Sequence, residues 1–351
     1  MKILITHEIF PPEVSGGGEK LTYRIANELI LKGYEVKVLT SGDPKIKYYE
    51  NIETIRIPIN RYLMNLTYPI IAKEAKGADL IHTSSGNMCL PSYFAAKKNK
   101  IPICCYIHHI FGENWIDIKG PIIGRVFQSM EKYFLTRNYD KLIFQNSLSK
   151  QIGLGLGIKE NKIELIHPGI DFKKYQIKLK RENRVLFIGN MNMNKSTSKI
   201  KGLDYFIEVA KYFNDIEFWI AGDGDYLNKI KKNASKNVKF LGKLDQDELI
   251  KLYNSSLILC QPSLAEGFGL SILEGMASGC AIVSTIDIGQ VGPIIKPKDI
   301  NDLKDGLNVY INNKRLAEKH GKKNRLIAKK FTWKKYIDDL IKIYDNIIQK
   351  K

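Results

Sequence analysis

Short apolar runs alternate with longer amphipathic segments along this chain, and the pattern starts twice. Lys2 to Thr6 is an apolar run, and a loop from Phe10 to Gly18 follows it. Glu19 to Lys32 then carries Leu21, Ile25, Leu29 and Ile30 on one helical side, Gly33 ends it, and Tyr34 to Thr40 is the next strand. This is a strand–loop–helix–strand unit of Rossmann type. It is not the dinucleotide fingerprint, because Leu21 stands where a third glycine would fall. Strands at Ile52–Ile57, Leu80–His82, Pro102–Ile107, Lys141–Asn146 and Ile163–Ile166, with a helix over Phe127–Arg137, continue the first series. The second series begins at Arg184–Ile188. It runs through a helix at Leu203–Phe213, strands at Ile216–Ala221 and Val238–Leu241, a helix at Asp245–Asn254 capped by Asp245, and strands at Leu257–Cys260 and Ala281–Thr285. At 351 residues the chain has room for two such domains, and an α/β fold of two doubly wound units is expected.

Charge bounds the partners more than the fold. The formal net charge of +18 suits phosphorylated substrates, an anionic membrane surface or nucleic acid. No nucleic-acid motif and no aromatic–basic interleaving on a strand accompanies it, so no nucleic-acid partner is expected. No stretch reaches the roughly 18 apolar residues of a membrane span, and Met1 to Glu8 turns polar too early for a signal peptide. Cys89, Cys104, Cys105, Cys260 and Cys280 form no Cys-x-x-Cys pair, so buried thiols in a reducing compartment are expected. A cytoplasmic location follows.

The chemistry concentrates in Glu266-Gly-Phe-Gly-Leu-Ser-Ile-Leu-Glu274, between the strand Leu257–Cys260 and a helix that stops at Gly279. Gly267 and Gly269 leave backbone N–H groups open at a helix start, which attracts anions. Two carboxylates roughly 10 Å apart on such an element suit a ligand with hydroxyls at both ends and phosphates between, the description of a nucleotide sugar. An ordinary loop–helix corner with one solvated Glu would show the same residues.

This spacing resembles the signature of glycosyltransferase family 4, retaining nucleotide-sugar enzymes with the GT-B fold. The resemblance implies two Rossmann-like domains facing each other across a cleft. It places an acceptor-side domain at 1–170, a donor domain at 171–330, and a helix at 331–351 packing back on the first domain. It implies that Glu266 contacts the transferred sugar, that Glu274 binds the nucleotide ribose, and that Phe268, Gly269 and Leu270 face the sugar and diphosphate. Gly16 and Gly17 match the family's Gly-Gly loop near the donor phosphate, His108 the histidine that lines the sugar site, and Lys201 the lysine of the diphosphate clamp. His167-Pro168-Gly169-Ile170-Asp171 resembles the interdomain turn, with Gly169 needed for the turn itself.

Two departures stand out. Asn190 replaces the usual arginine, so half of the clamp remains with Lys201, and Lys195 and Lys199 are the candidates for the rest. The loop from Ile286 to Pro293 is short where the family has a longer glycine-rich one with a Glu. Lys201 and the amides of the 267–271 turn are expected to stabilise the leaving diphosphate, with no metal and no other cofactor. Asp223 and Asp225 read as a turn at a strand end, and His108-His109 lacks a third metal ligand nearby. Expected partners are a UDP- or GDP-sugar donor, a glycan or lipid-linked acceptor, and an anionic membrane touched peripherally through the helix at Phe127 with Arg125, Lys132, Arg137 and Lys141. Three alternatives remain open here: a hydrolase using both glutamates, a non-catalytic nucleotide-sugar binder, and a dehydrogenase. Both carboxylates on one loop–helix element argue against the first, and incomplete glycine patterns against the last.

Overall fold

The structure is a computed structural model that describes residues 1–13, 17–175, 179–189 and 195–349. Two compact units account for the chain. The first holds Met1–Gln145, Ser149–His167 and the last helix from Lys334 on; the second holds Asn146–Leu148 and Pro168–Trp333.

The first unit is built on strands β1 (Lys2–Thr6), β2 (Glu35–Ser41), β3 (Tyr48–Tyr49), β4 (Ile52–Ile57), β5 (Leu80–Ser84), β6 (Ile103–Tyr106), β7 (Lys141–Phe144) and β8 (Ile163–Leu165). They form one eight-stranded sheet in the order β3-β4-β2-β1-β5-β6-β7-β8. Every pairing is parallel except β3 with β4. The short antiparallel Tyr48–Tyr49 edge was not readable from the sequence. β5 and β6 are buried at every position, as a parallel sheet covered by helices requires. The last helix, Trp333–Gln349, buries Tyr336, Ile337, Leu340, Ile343, Tyr344 and Ile347, a stripe at helical spacing. Its Tyr344 hydroxyl lies 2.6 Å from Nδ1 of His82 in β5. Burial drives the His82 imidazole down to about 3, so it stays neutral and serves packing.

The second unit carries β9 (Glu182–Ile188), β10 (Glu217–Ala221), β11 (Val238–Gly242), β12 (Ser256–Gln261) and β13 (Ala281–Ser284), all parallel, in the order β11-β10-β9-β12-β13. Phe187, Phe206 and Phe218 pack tilted and edge-on through its core, and burying each side chain contributes about 1.5–3 kcal/mol. The helix Gln246–Ser255 starts at a complete capping box: Asp245 accepts from the Glu248 N–H at 2.8 Å, and Glu248 accepts from the Asp245 N–H at 2.8 Å. All five cysteines are free and buried. No helix among the described residues is long and apolar enough to cross a membrane.

Two sequence expectations need correcting. The helix expected over Phe127–Arg137 runs over Pro121–Leu135, after a separate short helix, Asn114–Lys119. Gly120 at φ 84° separates them, and Pro121 supplies the preset φ of a first helical residue. Gly169, expected to serve the turn, is constrained by close approach: a Cβ there would lie 2.3 Å from the backbone nitrogen of Trp333.

Candidate functional site

In the second unit, a network of backbone contacts fixes the Glu266–Glu274 stretch. β12 ends at Gln261, and the loop after it docks on the segment before the helix Leu203–Ala210. The Leu264 N–H donates to the Ile200 carbonyl at 2.7 Å. Gly202, at φ 72°, lies so close to Pro262 that a Cβ would meet the Pro262 oxygen at 1.9 Å. Only glycine allows both the conformation and the approach. That contact delivers Lys201 to Glu266. Its ammonium donates to both carboxylate oxygens, at 2.7 and 2.6 Å, with the side chains 20% and 11% exposed. Asn146, fully buried, turns its amide onto the carbonyls of Glu266 (3.1 Å) and Gly267 and holds the loop from the other side.

Gly269 adopts the left-handed conformation at φ 93° and starts the helix Leu270–Ser278 with no side-chain cap. The positive end of that helix therefore lies beside Glu266 and Phe268. Glu274 follows one turn later and is half-buried. Its Oε1 accepts from the Tyr175 hydroxyl and its Oε2 from the Tyr253 hydroxyl, both at 2.9 Å. Gln246 donates to the Tyr175 oxygen at 3.2 Å. Burial, and then the Glu274 carboxylate, push both phenols up, so both remain donors. The stretch thus presents a helix start and two fixed carboxylates on one element, with the Lys201 cation docked beside them. Such a surface can take an anionic group and hydrogen-bond hydroxyls beside it.

The first unit gathers its polar residues at the C-terminal ends of β1, β5 and β6, where an open α/β sheet binds ligands. His108 is half-buried, with its N–H donating to Ser85 Oγ at 3.1 Å. Its ring packs edge-on to His7 at 5.0 Å and to Tyr106 at 4.9 Å. Burial, then the neighbouring histidines, hold its imidazole well below its ordinary value, so it is neutral at neutral pH. Gly18 faces the same ring, its absent Cβ 3.3 Å from Nδ1. Gly17 opens the helix Gly17–Leu31 and is exposed. His109 points outward and stacks on Phe111. Gly16 and Asn190 lie outside the described residues.

Among the described residues no three His, Cys, Asp or Glu side chains group as metal ligands. Asp223 accepts from the Gly224 N–H at 2.7 Å, a turn at the end of β10. The short loop 286–293 is closed on itself. Gln290 accepts from the Ile288 N–H and donates to the Ile286 carbonyl, while Asn324 accepts from the Val291 N–H.

Two family profiles divide the chain between them. The profile "Glycosyltransferase Family 4" matches residues 15–174, and "Glycosyl transferases group 1" matches residues 182–322. The chain belongs to glycosyltransferase family 4. The match extends along whole sequences: a glycosyltransferase of Methanocaldococcus jannaschii is 28% identical and covers 99% of each chain. A Campylobacter jejuni relative, 26% identical over 85% of each chain, is N,N′-diacetylbacillosaminyl-diphospho-undecaprenol α-1,3-N-acetylgalactosaminyltransferase. Anabaena HepE, solved with UDP and glucose, shares the GT-B fold at a TM-score of 0.73 and 18% identity, over 99% of this chain and 100% of that one.

Three residues of this family 4 glycosyltransferase escaped the sequence reading. Tyr175, Tyr253 and Asn146 come from a 3₁₀ turn, a helix and the bend after β7, outside the motif they brace. Tyr253 had no local signal, and Asn146 read only as the end of the strand Lys141–Asn146. The tyrosines give a test in which nucleotide binding loses strength without losing the fold. Tyr175→Phe with Tyr253→Phe removes two charge-assisted hydrogen bonds and leaves Glu274 unfixed. UDP or GDP affinity is expected to fall up to about tenfold, measured by calorimetry, since ordering a loosened side chain on binding costs about 0.5–1.5 kcal/mol. Wild-type affinity in the double variant would mean that Glu274 needs no positioning.

Proposed function

We propose that this glycosyltransferase is a retaining, metal-independent hexosyltransferase. It moves a sugar from a UDP- or GDP-sugar to a glycan or lipid-linked acceptor in cell-surface polysaccharide or glycoconjugate synthesis. The observation that carries the reading is the convergence of Lys201 on the element that holds the Leu270–Ser278 helix start, Glu266 and Glu274. In this reading the bond between the anomeric carbon and the diphosphate oxygen breaks as Lys201 and the helix amides take up the charge growing on the leaving group. Glu266 accepts from sugar hydroxyls, and its ion pair with Lys201 keeps both groups placed before the donor arrives. Glu274, fixed by Tyr175 and Tyr253, accepts from the ribose hydroxyls. Phe268, Gly269 and Leu270 face the sugar and diphosphate, Gly17 belongs to the phosphate loop, and a neutral His108 contacts the sugar.

Support for the donor comes from HepE, which was solved with UDP and glucose. Support for a lipid-linked acceptor comes from the Campylobacter relative, whose acceptor is a diphospho-undecaprenol. We place the protein in the cytoplasm, peripheral on the inner face of the membrane. A panel of nucleotide sugars scored by thermal shift tests the donor assignment, because a ligand that binds only the folded state raises its stability. A UDP- or GDP-sugar is expected to raise the melting temperature, and no response across the panel would remove the assignment.

A further inference from the structure

The helix Pro121–Leu135 faces the wrong way for a core helix. It buries only Gly124 and Leu135. Its apolar stripe points into solvent instead: Ile122 is 80% exposed, Ile123 55% and Val126 54%, and Phe127, Met130 and Tyr133 continue the same face. What holds the helix is its inner side. Gly124 lies against the Trp115 carbonyl, where a Cβ would come within 2.5 Å. Glu131 accepts the N–H groups of Phe111 (3.1 Å) and Gly112 (2.7 Å), in the loop that follows His108-His109. Of the outer side, Phe127 packs on the Trp115 ring at 5.0 Å, while Ile122, Ile123 and Val126 are more than half exposed.

Cations frame that outer side. Lys119 lies over the Phe127 ring at 5.8 Å, and Arg137 over the Tyr133 ring at 4.0 Å. Arg125 and Lys132 are exposed along the stripe. From Lys119 to Arg137 the only acid is Glu131, and its carboxylate is turned inward. An apolar face with aromatic rings at its ends and a basic rim matches the interface of an anionic bilayer: the stripe sinks to the acyl boundary, and the cations meet headgroup phosphates. A second copy fits poorly, because a two-fold contact sets Arg125 and Lys132 against their own like charges.

We propose that the exposed face of Pro121–Leu135 is a membrane-inserting surface for anionic lipid, held to the His108 loop through Glu131. It deepens the reading of a lipid-linked acceptor and rests on that reading for its purpose. The vesicle assay contains neither donor nor acceptor, so binding and transfer fail separately.

The test is flotation of the full chain with vesicles of phosphatidylcholine alone and of phosphatidylcholine mixed with phosphatidylglycerol, at low and moderate salt. Wild type is expected to float with the mixed vesicles and to be weakened by salt. Ile123→Asp with Val126→Asp is expected to lower binding about tenfold or more. Arg125→Gln with Lys132→Gln is expected to lower it about tenfold on mixed vesicles and little on phosphatidylcholine. Both pairs lie outside the residues assigned to the donor, so melting temperature and nucleotide affinity should stay at wild-type values. Equal behaviour on the two vesicle types, or binding unchanged by either pair, would overturn the proposal. So would a concentration-dependent dimer that Ile123→Asp with Val126→Asp abolishes, since a second copy would then cover this face.

Discussion

Lys201→Ala is expected to lower turnover by at least two orders of magnitude. The basis is the roughly 3 kcal/mol typical of removing one preorganised donor from a developing negative charge. The structure adds a second consequence. Lys201 bonds both oxygens of Glu266, so the alanine leaves a largely buried carboxylate without its cation. The two effects separate in the double variant Lys201→Ala with Glu266→Gln, which removes the unpaired charge without restoring a cation. If leaving-group charge is what Lys201 serves, the double variant recovers melting temperature but turns over far more slowly than Glu266→Gln alone. Turnover equal to that of Glu266→Gln alone would make the lysine a mere counter-ion. Lys195 and Lys199 belong to the same experiment, because Asn190 supplies no charge where the family has arginine. If either one completes the clamp, its alanine variant should weaken nucleoside-diphosphate binding, whereas Asn190→Arg should not strengthen it.

Glu274→Ala should weaken the free nucleotide itself. If Glu274 holds the ribose as proposed, loss of the carboxylate removes charge-assisted bonds worth about 1.5–3 kcal/mol, a fall of at least tenfold in UDP or GDP affinity. It also deprives the Tyr175 and Tyr253 hydroxyls of their acceptor. Glu274→Gln separates these losses, since the amide still accepts from one tyrosine while its charge is gone. Calorimetry with UDP and GDP reads both variants. Affinity unchanged in Glu274→Ala would take the residue out of the nucleotide site.

The strands and the motif were legible because their signals are local. β6, the Leu257–Cys260 part of β12 and the Ala281–Val283 part of β13 are apolar runs, and the glycines at 267 and 269 mark the helix start within a few residues. What braces the motif was not legible, because it comes from afar. Asn146 reaches a carbonyl 120 positions on, and Tyr175 a carboxylate 99 positions on. No periodicity encodes such pairings. The Lys201–Glu266 pair shows the same limit. Each residue was singled out, but for different parts of the ligand, and only the docking of Gly202 on Pro262 reveals that they meet. The helix Pro121–Leu135 failed differently. Periodicity reports that a helix is amphipathic, and it is silent on whether the apolar face turns inward. Here that face turns out, and the expected start at Phe127 fell six residues after the true one because the Gly120-Pro121 start signal was not read.

Acceptor-dependent release of nucleoside diphosphate tests the central claim most directly. The purified protein is incubated with the nucleotide sugar that stabilises it most, with and without a lipid extract from its own membranes as the acceptor pool. Release is expected to be fast with the extract, slow without it, and lost in Lys201→Ala. A donor that binds, raises the melting temperature and is never consumed, whatever acceptor is supplied, would contradict the account and make the protein a binder of nucleotide sugars.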